Sequence, residues 1–331
     1  MIKASALTYK TNGDPKKVLQ LEQIEVDTTL GPSSVLVKWL LSPINPLDIN
    51  KIEGTYPSKF TNIGGSEGVG RVVKVGSEVR KLKADDRVFS GAPFATPWIE
   101  YSVVDQSSLF KLQPDVDEVS AASLMINPPT AYIMLKEYEH LENGDYVIQN
   151  SANSAVGRCV IQLAKAFGYK SINLVRDRPD IEDLKNELKA LGADFVFTEE
   201  EFKSTGRQFV KTLDRPIRLA CNGVGGRSAL AISASLTYGA TCVTYGGMSK
   251  KPSEFSTASL VFNDLRVVGV AVTNFIANAW SEKVDRMFKE LQDLIAAGKL
   301  KPPPVKIHRL EEYEAAIRDH LDRWAEGEAN A

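Results

Sequence analysis

The sequence predicts an α/β fold in two parts: a β-rich first part and a second part built on a doubly wound parallel sheet. Up to about Leu124, short β segments are separated by turn residues. From about Tyr146, strands alternate with helices, as in repeated β-α-β units. The chain of 331 residues is also longer than most single domains. Together these observations indicate two domains.

The first part contains several apolar segments that predict strands, because each is bounded by Gly, Pro, Asp or Asn. Examples are IKASALTY, SVLVKWLL, GVGRVVKVG and DRVFS. A series of short strands of this kind predicts a compact barrel-like or sandwich-like β domain.

The second part opens with the predicted strand DYVIQN and a helix over residues 155–167. The apolar positions of this helix recur with the period of an amphipathic helix. They are Ala155, Val156, Cys159, Val160, Leu163, Ala164 and Phe167. Gly168 is a suitable C-terminal cap, because helices commonly end in a left-handed residue.

Strands and helices continue to alternate along the chain. The segments are SINLVR (strand), DIEDLKNELKAL (helix, capped by Gly192), DFVFT (strand), IRLACN (strand), a helix near 226–235, and ATCVTYG (strand). Two helices follow Gly269, in EKVDRMFKELQDLIAAG and EEYEAAIRDHLDRW, and we expect this tail to fold back on the first domain.

Composition excludes several classes of function. The 40 Lys and Arg against 42 Asp and Glu give a net charge of −2, so no global field attracts nucleic acid or a membrane. The uncharged stretch 230–249 contains glycines and hydroxyl residues and predicts helix, turn and strand, not a bilayer span. The opening MIKASALTYK predicts a strand without an apolar signal core, so we expect that a targeting peptide was removed or never existed.

The cysteines and histidines argue against disulfides and against a metal site. Cys159, Cys221 and Cys242 are odd in number and widely spaced, which favours a reducing compartment. No pair has the C-x-x-C spacing, and the chain has only 3 His. We therefore expect no metal.

The stretch SANSAVG, residues 151–157, lies where a strand ends and the next helix begins. Such a turn binds phosphate through backbone N–H groups at the helix N-terminus. It keeps only the last glycine of the usual fingerprint, Gly157, which allows close helix–strand packing. Asn153, Ser154 and Ala155 are small and leave the backbone donors available. The alternative is a capped helix without a ligand.

Arg176, Asp177 and Arg178 follow the next predicted strand. An acidic residue there usually binds the ribose 2′-hydroxyl of NAD, whereas arginines suit the 2′-phosphate of NADP. The sequence favours NADPH, with a solvated charged turn as the alternative.

Seven segments carry a resemblance to a known family. They are INPLDINKIEGTYPSKF, GGSEGVGRVVKVGSEV, INPPTAYIML, QNSANSAVG, LVRDRPDIEDLKNELKALGAD, ACNGVGGRSA and TYGGM. Taken in order, they closely resemble the mitochondrial 2-enoyl thioester reductases of the medium-chain dehydrogenase/reductase superfamily. The resemblance implies a GroES-like catalytic domain over residues 1–124 and a Rossmann NADPH-binding domain over 125–268. It also implies a return to the catalytic domain over 269–331. The zinc alcohol dehydrogenases of the superfamily have a histidine where this chain has Ser66, before Glu67.

The resemblance implies reduction of the C2–C3 double bond of trans-2-enoyl thioesters, carried on acyl carrier protein or CoA, in fatty acid synthesis. Hydride from NADPH adds to C3, the charge moves onto the thioester oxygen, and a proton goes to C2. Tyr56 matches the family's tyrosine assigned to that protonation. A phenol stays protonated at neutral pH and can donate. The alternative for Tyr56 is a packed loop aromatic.

The same resemblance implies the cofactor contacts. Asn127 would lie at the nicotinamide end and could also cap the helix that follows Pro128 and Pro129. The other implied contacts are the pyrophosphate turn Asn153, Ser154, Ala155 and Val156, the adenosine-phosphate residues Arg176, Asp177 and Arg178, the loop Tyr245, Gly246, Gly247 and Met248, and Val270 and Val272 after Gly269.

Three features depart from the family pattern. Trp98 aligns with a tryptophan of the family, but Pro97 replaces the family's Gly-Thr-Trp arrangement, and core packing is the alternative role for Trp98. The segment GVAVTNF has no aromatic pair after Gly269, which implies a different acyl pocket. The tail DHLDRWAEGEANA has no counterpart of the family's lysine near the cofactor. A zinc-free quinone or alkenal reductase and a catalytically silent NADPH-binding protein therefore remain alternatives. A homodimer and a mitochondrial location are expectations from the resemblance, with the cytosol as the alternative location.

Overall fold

The computed structural model describes residues 1–56, 62–91 and 95–328, with side chains up to Asp322. The chain divides into two compact units. The first contains residues 1–126 and 304–327, and the second contains residues 127–303. Only the segment from Pro304 onwards rejoins the first unit, because 269–303 packs with the second. This differs from the return expected from Gly269.

The strands lie in both units. In chain order they are β1 (Ile2–Thr8), β2 (Gln20–Val26), β3 (Ser34–Leu41), β4 (Glu67–Val75), β5 (Arg87–Gly91), β6 (Tyr101–Asp105), β7 (Phe110–Lys111), β8 (Tyr146–Gln149), β9 (Lys170–Val175), β10 (Phe195–Thr198), β11 (Ile217–Asn222), β12 (Thr241–Thr244) and β13 (Arg266–Gly269).

The helices connect these strands. In chain order they are α1 (Pro15–Val18), α2 (Pro46–Glu53), α3 (Glu118–Ala122), α4 (Asn127–Glu137), α5 (Ala155–Phe167), α6 (Ile181–Leu191), α7 (Glu199–Val210), α8 (Gly226–Ser233), α9 (Thr257–Phe262), α10 (Val272–Asn278), α11 (Ser281–Ala296) and α12 (Tyr313–Glu328), with 3₁₀ turns at Gln106–Ser108 and Leu310–Glu312. Among the described residues, no helix is long and apolar enough to cross a bilayer.

The first unit is β-rich, as the sequence predicts. Five strands form a sheet in the order β6-β3-β4-β5-β7, and β1 pairs antiparallel with β2. Trp98 lies in the core of this unit, where it is 4% exposed and donates from Nε1 to the Pro43 carbonyl at 3.2 Å. Its ring leaves no room for a Cβ atom at Gly64 or Gly65. Core packing is therefore the role of Trp98 in the structure.

The second unit contains a parallel six-stranded sheet in the order β10-β9-β8-β11-β12-β13. This order confirms the predicted doubly wound fold. The chain winds outward from β8 in one direction and from β11 in the other, so the two central strands form the topological switch point. Ligands of such sheets bind outside the carboxyl ends of the strands at that point. The predicted site must therefore be sought at the ends of β8, β9, β11, β12 and β13.

Two glycine caps fix the ends of the helices beside this sheet. Gly168 ends α5 with φ 79°, and Gly192 ends α6 with φ 117°. Both angles lie in the left-handed region that glycine adopts without steric cost. Helix α5 covers the predicted 155–167 range.

Candidate functional site

The turn between β8 and α5 has the geometry of an anion-binding turn. The Ser154 hydroxyl caps α5 by accepting from the Gly157 N–H at 3.1 Å. A Cβ atom on Gly157 would lie 2.5 Å from the Ser151 carbonyl oxygen, so only glycine lets the helix pack this closely on the turn. Ser151 itself has φ 54°, a left-handed conformation that directs the chain into the helix. The first-turn N–H groups of Ala155 and Val156 then point out of the positive end of α5.

Polar side chains from the neighbouring strands and helices hold this turn by hydrogen bonds. Gln149 Nε2 donates to the Gly157 carbonyl at 2.9 Å and to Asn173 Oδ1 at 2.8 Å. Arg158 Nε donates to the Asn153 carbonyl at 3.0 Å, and its guanidinium forms two bonds with Glu187 at 2.8 and 2.9 Å. The turn is therefore held in place by the strands and by α6. Sequence patterns do not reveal these partners.

A second buried network spans the switch point. Asn150 donates from Nδ2 to Asn222 Oδ1 and to Ser228 Oγ, both at 2.9 Å. It accepts from the Gly223 N–H at 2.7 Å, while Asn222 Oδ1 accepts from the Gly225 N–H at 3.0 Å. The two asparagines thereby fix the loops that leave β8 and β11. Neither asparagine is among the predicted site residues.

The loop after β12 lies against the loop after β11. The Tyr245 N–H donates to the Asn222 carbonyl at 2.9 Å, and the Met248 N–H donates to that of Gly223 at 3.1 Å. A Cβ atom on Gly223 would lie 2.5 Å from the Tyr245 hydroxyl. Burial raises the pKa of Tyr245 above its ordinary value, against the opposing effect of the Ser154 hydroxyl. Tyr245 is therefore a neutral packing group between the two loops.

The remaining glycines of this loop leave open space. A Cβ atom on Gly246 would lie 3.0 Å from the Gly223 carbonyl oxygen, and one on Gly247 would meet no atom within 4 Å. Met248 is 38% exposed. The structure thus places the predicted loop 245–248 at the carboxyl end of β12 with its tip accessible.

Two cationic side chains follow β9 at the same edge of the sheet. Within the described residues, Arg176 forms no hydrogen bond or ion pair, and Arg178 Nε is buried without a hydrogen-bond partner. Asp177 is exposed and accepts from the Arg178 N–H at 2.9 Å. A buried guanidinium N–H without an acceptor is costly, so this position favours an external anion.

The last predicted cofactor contacts are Val270, which follows β13, and two residues that begin helices. The Val270 N–H donates to the Thr244 carbonyl at 2.9 Å, and Val272 begins α10 and is 7% exposed. Asn127 begins α4 and is half-buried. All predicted cofactor residues except Asn127 therefore follow β8, β9, β12 or β13 at one edge of the sheet, and the fold places Asn127 at the start of α4.

Tyr56 belongs to the first unit. It follows α2, which ends at the left-handed Gly54 with φ 77°. The Tyr56 N–H donates to the Asn50 carbonyl at 3.2 Å, and the side chain is 38% exposed. The backbone is thus tied to the helix while the ring remains accessible. The rest of the motif GTYPSKF, from Pro57, lies outside the described residues.

A buried acid pair lies at the other end of α2. Asp48 is 1% exposed and Glu67 is 0% exposed. Asp48 accepts from the Asn45 N–H at 2.7 Å and from the Ser66 hydroxyl, and Asn45 Nδ2 donates to Glu67 at 2.9 Å. Burial raises the pKa of Asp48 to about 6 and that of Glu67 to about 8, against the lowering effect of these hydrogen bonds. The sequence signal for this pair is Glu67, an acidic residue among the small, otherwise uncharged residues of GGSEGVG.

Comparisons with known proteins agree with this architecture. The alcohol dehydrogenase GroES-like domain family matches residues 31–113, and the zinc-binding dehydrogenase family matches residues 155–290. A GroES-like domain followed by a doubly wound dinucleotide-binding domain defines a medium-chain dehydrogenase/reductase.

The relatives narrow this class. An enoyl-[acyl-carrier-protein] reductase, mitochondrial, from Caenorhabditis elegans is 53% identical over 97% of this chain and 93% of its own. The mitochondrial 2-enoyl thioester reductase Etr1p/Etr2p heterodimer from Candida tropicalis has 32% identity and a TM-score of 0.87, covering 97% and 98% of the two chains. A complex of Etr1p with NADP and crotonyl-CoA has 31% identity, a TM-score of 0.87 and the same coverage. The chain belongs to the mitochondrial enoyl-[acyl-carrier-protein] reductase family.

One of the two matched families is named for binding zinc, but the described part of this chain contains no set of ligands for a zinc ion. There, no three His, Cys, Asp or Glu side chains lie close enough to hold a metal ion. Ser66, which precedes Glu67, donates to Asp48 instead. The residues present do not fit a zinc ion.

Proposed function

We propose that this protein reduces the C2–C3 double bond of trans-2-enoyl thioesters with NADPH, in mitochondrial fatty acid synthesis. The observation that carries the proposal is the anion-binding edge of the second unit. There the N-terminus of α5 follows β8. Two arginines without anionic partners, Arg176 and Arg178, follow the neighbouring strand β9. Membership of the reductase family supports the substrate class.

The residues at this edge fit NADPH. The N–H groups of Ala155 and Val156 and the Ser154 hydroxyl would hold the pyrophosphate at the helix N-terminus. Arg176 and Arg178 would hold the 2′-phosphate, which supplies the acceptor that the buried Arg178 Nε lacks. The tip of the 245–248 loop, with open space around Gly247, would lie along the cofactor. From the family resemblance, Asn127 is assigned to the nicotinamide end, and Val270 and Val272 are assigned as further cofactor contacts.

The reaction needs a hydride at C3, stabilisation of the enolate oxygen and a proton at C2. Bound NADPH supplies the hydride. The Tyr56 hydroxyl donates the proton to C2 in this proposal, and its 38% exposed side chain is accessible to substrate. The Asn50 carbonyl holds the Tyr56 backbone, so the hydroxyl is presented from a fixed point at the end of α2.

The direct test is NADPH oxidation with crotonyl-CoA and longer trans-2-enoyl-CoA esters, compared with quinones and enones at the same concentrations. We expect faster turnover of thioesters than of the other acceptors. Turnover of quinones or enones alone would favour the quinone or alkenal reductase. NADPH binding without turnover of any acceptor would favour a silent binding protein.

Replacing Arg176 with alanine tests the cofactor assignment. We expect NADPH binding to weaken by about 1.5–3 kcal/mol, the value of a hydrogen bond to a charged group, while NADH binding changes little. Fluorescence titration with both cofactors measures this difference, and Arg207→Ala, an exposed arginine of α7, is the matched control. Equal losses for NADPH and NADH would contradict the assignment to the 2′-phosphate.

We further propose that the protein is a mitochondrial homodimer whose substrates are enoyl groups on acyl carrier protein or CoA. The curated relatives carry mitochondrial in their names, and the Candida tropicalis structure is a heterodimer. Strand β13 ends the sheet, and beside it in sequence Val261 is 65% exposed and Phe262 76% exposed. Large apolar side chains exposed on α9, the helix that precedes the terminal strand of the sheet, favour pairing with a second copy.

Replacing Phe262 with glutamate tests the dimer. A buried charge at the interface should raise the dimer dissociation constant at least about 30-fold, the effect of losing an interface residue worth about 2 kcal/mol. Sedimentation velocity over a range of concentrations measures it. The control Val305→Asp changes an apolar residue that is 55% exposed in the first unit, and we expect it to remain a dimer. Identical sedimentation of wild type and Phe262→Glu would exclude this face.

A further inference from the structure

The buried acid pair Asp48 and Glu67 connects two segments that the proposed reaction uses. Glu67 Oε2 accepts from the Met125 N–H at 2.8 Å and from the Ile126 N–H at 3.0 Å. Its other oxygen accepts from Asn45 Nδ2 at 2.9 Å. The carboxylate therefore binds three N–H donors from two separate parts of the chain.

The first of these parts is the start of α2. Asn45 is the N-cap of this helix, and Asp48 completes the capping box by accepting from the Asn45 N–H. The helix is anchored along its length, because Ile49 and Ile52 are each 1% exposed. Its far end carries Tyr56. A displacement at Asn45 would therefore move the helix that presents the Tyr56 hydroxyl.

The second part is the segment Met125–Ile126, which Asn127 follows directly in the chain. Both N–H groups of this segment bind the same oxygen of Glu67. The segment is thereby fixed to β4 immediately before the residue assigned to the nicotinamide end.

We propose that Glu67, together with Asp48, is a positioning residue of the reduction: its carboxylate fixes the start of α2, which carries Tyr56, and the segment that leads to Asn127. The inference rests on the proposed function. Asp48 and Glu67 act through the backbone and Asn45, and neither needs to touch the substrate.

The charge state of Glu67 is the property through which this role can be measured. The ionised carboxylate accepts the three N–H bonds more strongly than the neutral acid, because protonation makes one oxygen a donor and a weaker acceptor. The charged groups acting on the pair are its own two members and Lys51 of α2. From α3, which packs against β4, Glu118 faces Arg71 at 4.0 Å instead, and Met125 and Ile126 carry no charge.

The sign of the pH dependence follows from the raised pKa of Glu67, about 8. Below this value Glu67 gains a proton, which weakens its hydrogen bonding to α2 or to the 125–126 segment. We therefore expect kcat of the wild-type protein to rise between about pH 6 and 9. The binding constant for NADPH should change less than kcat over this range, since the proposed phosphate contacts lie in the second unit and do not involve Glu67.

Glu67→Gln tests the role, because the amide keeps the shape and cannot ionise. We expect kcat at pH 8.5 to fall about 10- to 100-fold, as for small misplacements of reacting groups, with a smaller loss of NADPH affinity and with the rising limb of the pH profile absent. The matched control is Ser42→Ala, which removes a hydrogen bond to the backbone carbonyl of Glu67 but leaves the carboxylate contacts intact. Its pH profile should match the wild type. A Glu67→Gln protein that retains the wild-type rate and profile would overturn the proposal.

A measurement on the wild type covers the case in which Glu67→Gln does not fold. The chain has 5 methionines, so the Met125 amide can be followed after selective ¹⁵N-methionine labelling. Its chemical shift should titrate with the same midpoint as kcat. A Met125 amide shift that is constant from pH 6 to 9 would overturn the proposal. If the Met125 amide titrates but the protein has no reductase activity, the proposed function is refuted. The hydrogen-bonded cluster around Asp48 and Glu67 would still stand as a structural feature.

Discussion

Replacing Tyr56 with phenylalanine is expected to lower kcat with an enoyl-CoA substrate about 10²- to 10⁴-fold, the usual contribution of a positioned general acid. The change removes only the hydroxyl. The Tyr56 N–H still donates to the Asn50 carbonyl, so the end of α2 is preserved. NADPH affinity should stay within about twofold of wild type, because the predicted phosphate contacts lie in the other unit.

Steady-state kinetics and a cofactor titration on the same preparation check this result. The matched control is Tyr101→Phe, which removes a phenolic hydroxyl from β6 of the same unit. We expect the control to keep wild-type kcat. A Tyr56→Phe protein with an undiminished rate would remove Tyr56 as the proton donor and leave the packed-aromatic alternative.

Replacing Gly157 with valine is expected to abolish tight dinucleotide binding. Even the first carbon of a side chain would lie 2.5 Å from the Ser151 carbonyl oxygen and 2.7 Å from that of Ala152. Both atoms are backbone, so the turn must shift away from the helix N-terminus. Overpacking of this kind costs about 1–3 kcal/mol or more in stability. The affinities for NADPH and NADH should fall together, because the pyrophosphate is common to both.

Isothermal calorimetry with each dinucleotide measures the loss, and thermal unfolding separates it from global destabilisation. Gly269→Ala is the control, since a Cβ atom there meets only the Thr244 carbonyl oxygen at an ordinary 3.8 Å. Wild-type affinity in the folded Gly157→Val protein would show that the turn does not hold the pyrophosphate.

Much of the second unit could be predicted from local patterns. Helix α5 has a regular apolar face and ends at Gly168, and α6 ends at Gly192, so periodicity and caps give both helices. Strand β13 was harder to recognise, because Arg266 and Val267 are exposed and a sheet edge lacks the buried apolar run of a central strand. The grouping of 269–303 with the second unit depends on tertiary packing, which local patterns do not contain.

The candidate site was predictable only where its residues lie next to each other in the chain. Gly157 and the arginines at 176 and 178 follow strand ends, where motif spacing has a structural meaning. The pairs Asn150–Asn222 and Asp48–Glu67 consist of residues that are distant in sequence, and their significance comes from burial. An acid inside an apolar run is a weak signal until the N–H donors that satisfy it are known.

The assignment of the reaction can be tested most directly by isotope labelling. Incubating the protein with NADPH that carries deuterium in the transferable position, and with crotonyl-CoA in ordinary water, should give butyryl-CoA with deuterium at C3 and hydrogen from the solvent at C2. Mass spectrometry and NMR locate the label. Crotonyl-CoA recovered unreduced, while the folded protein binds NADPH, would contradict the account.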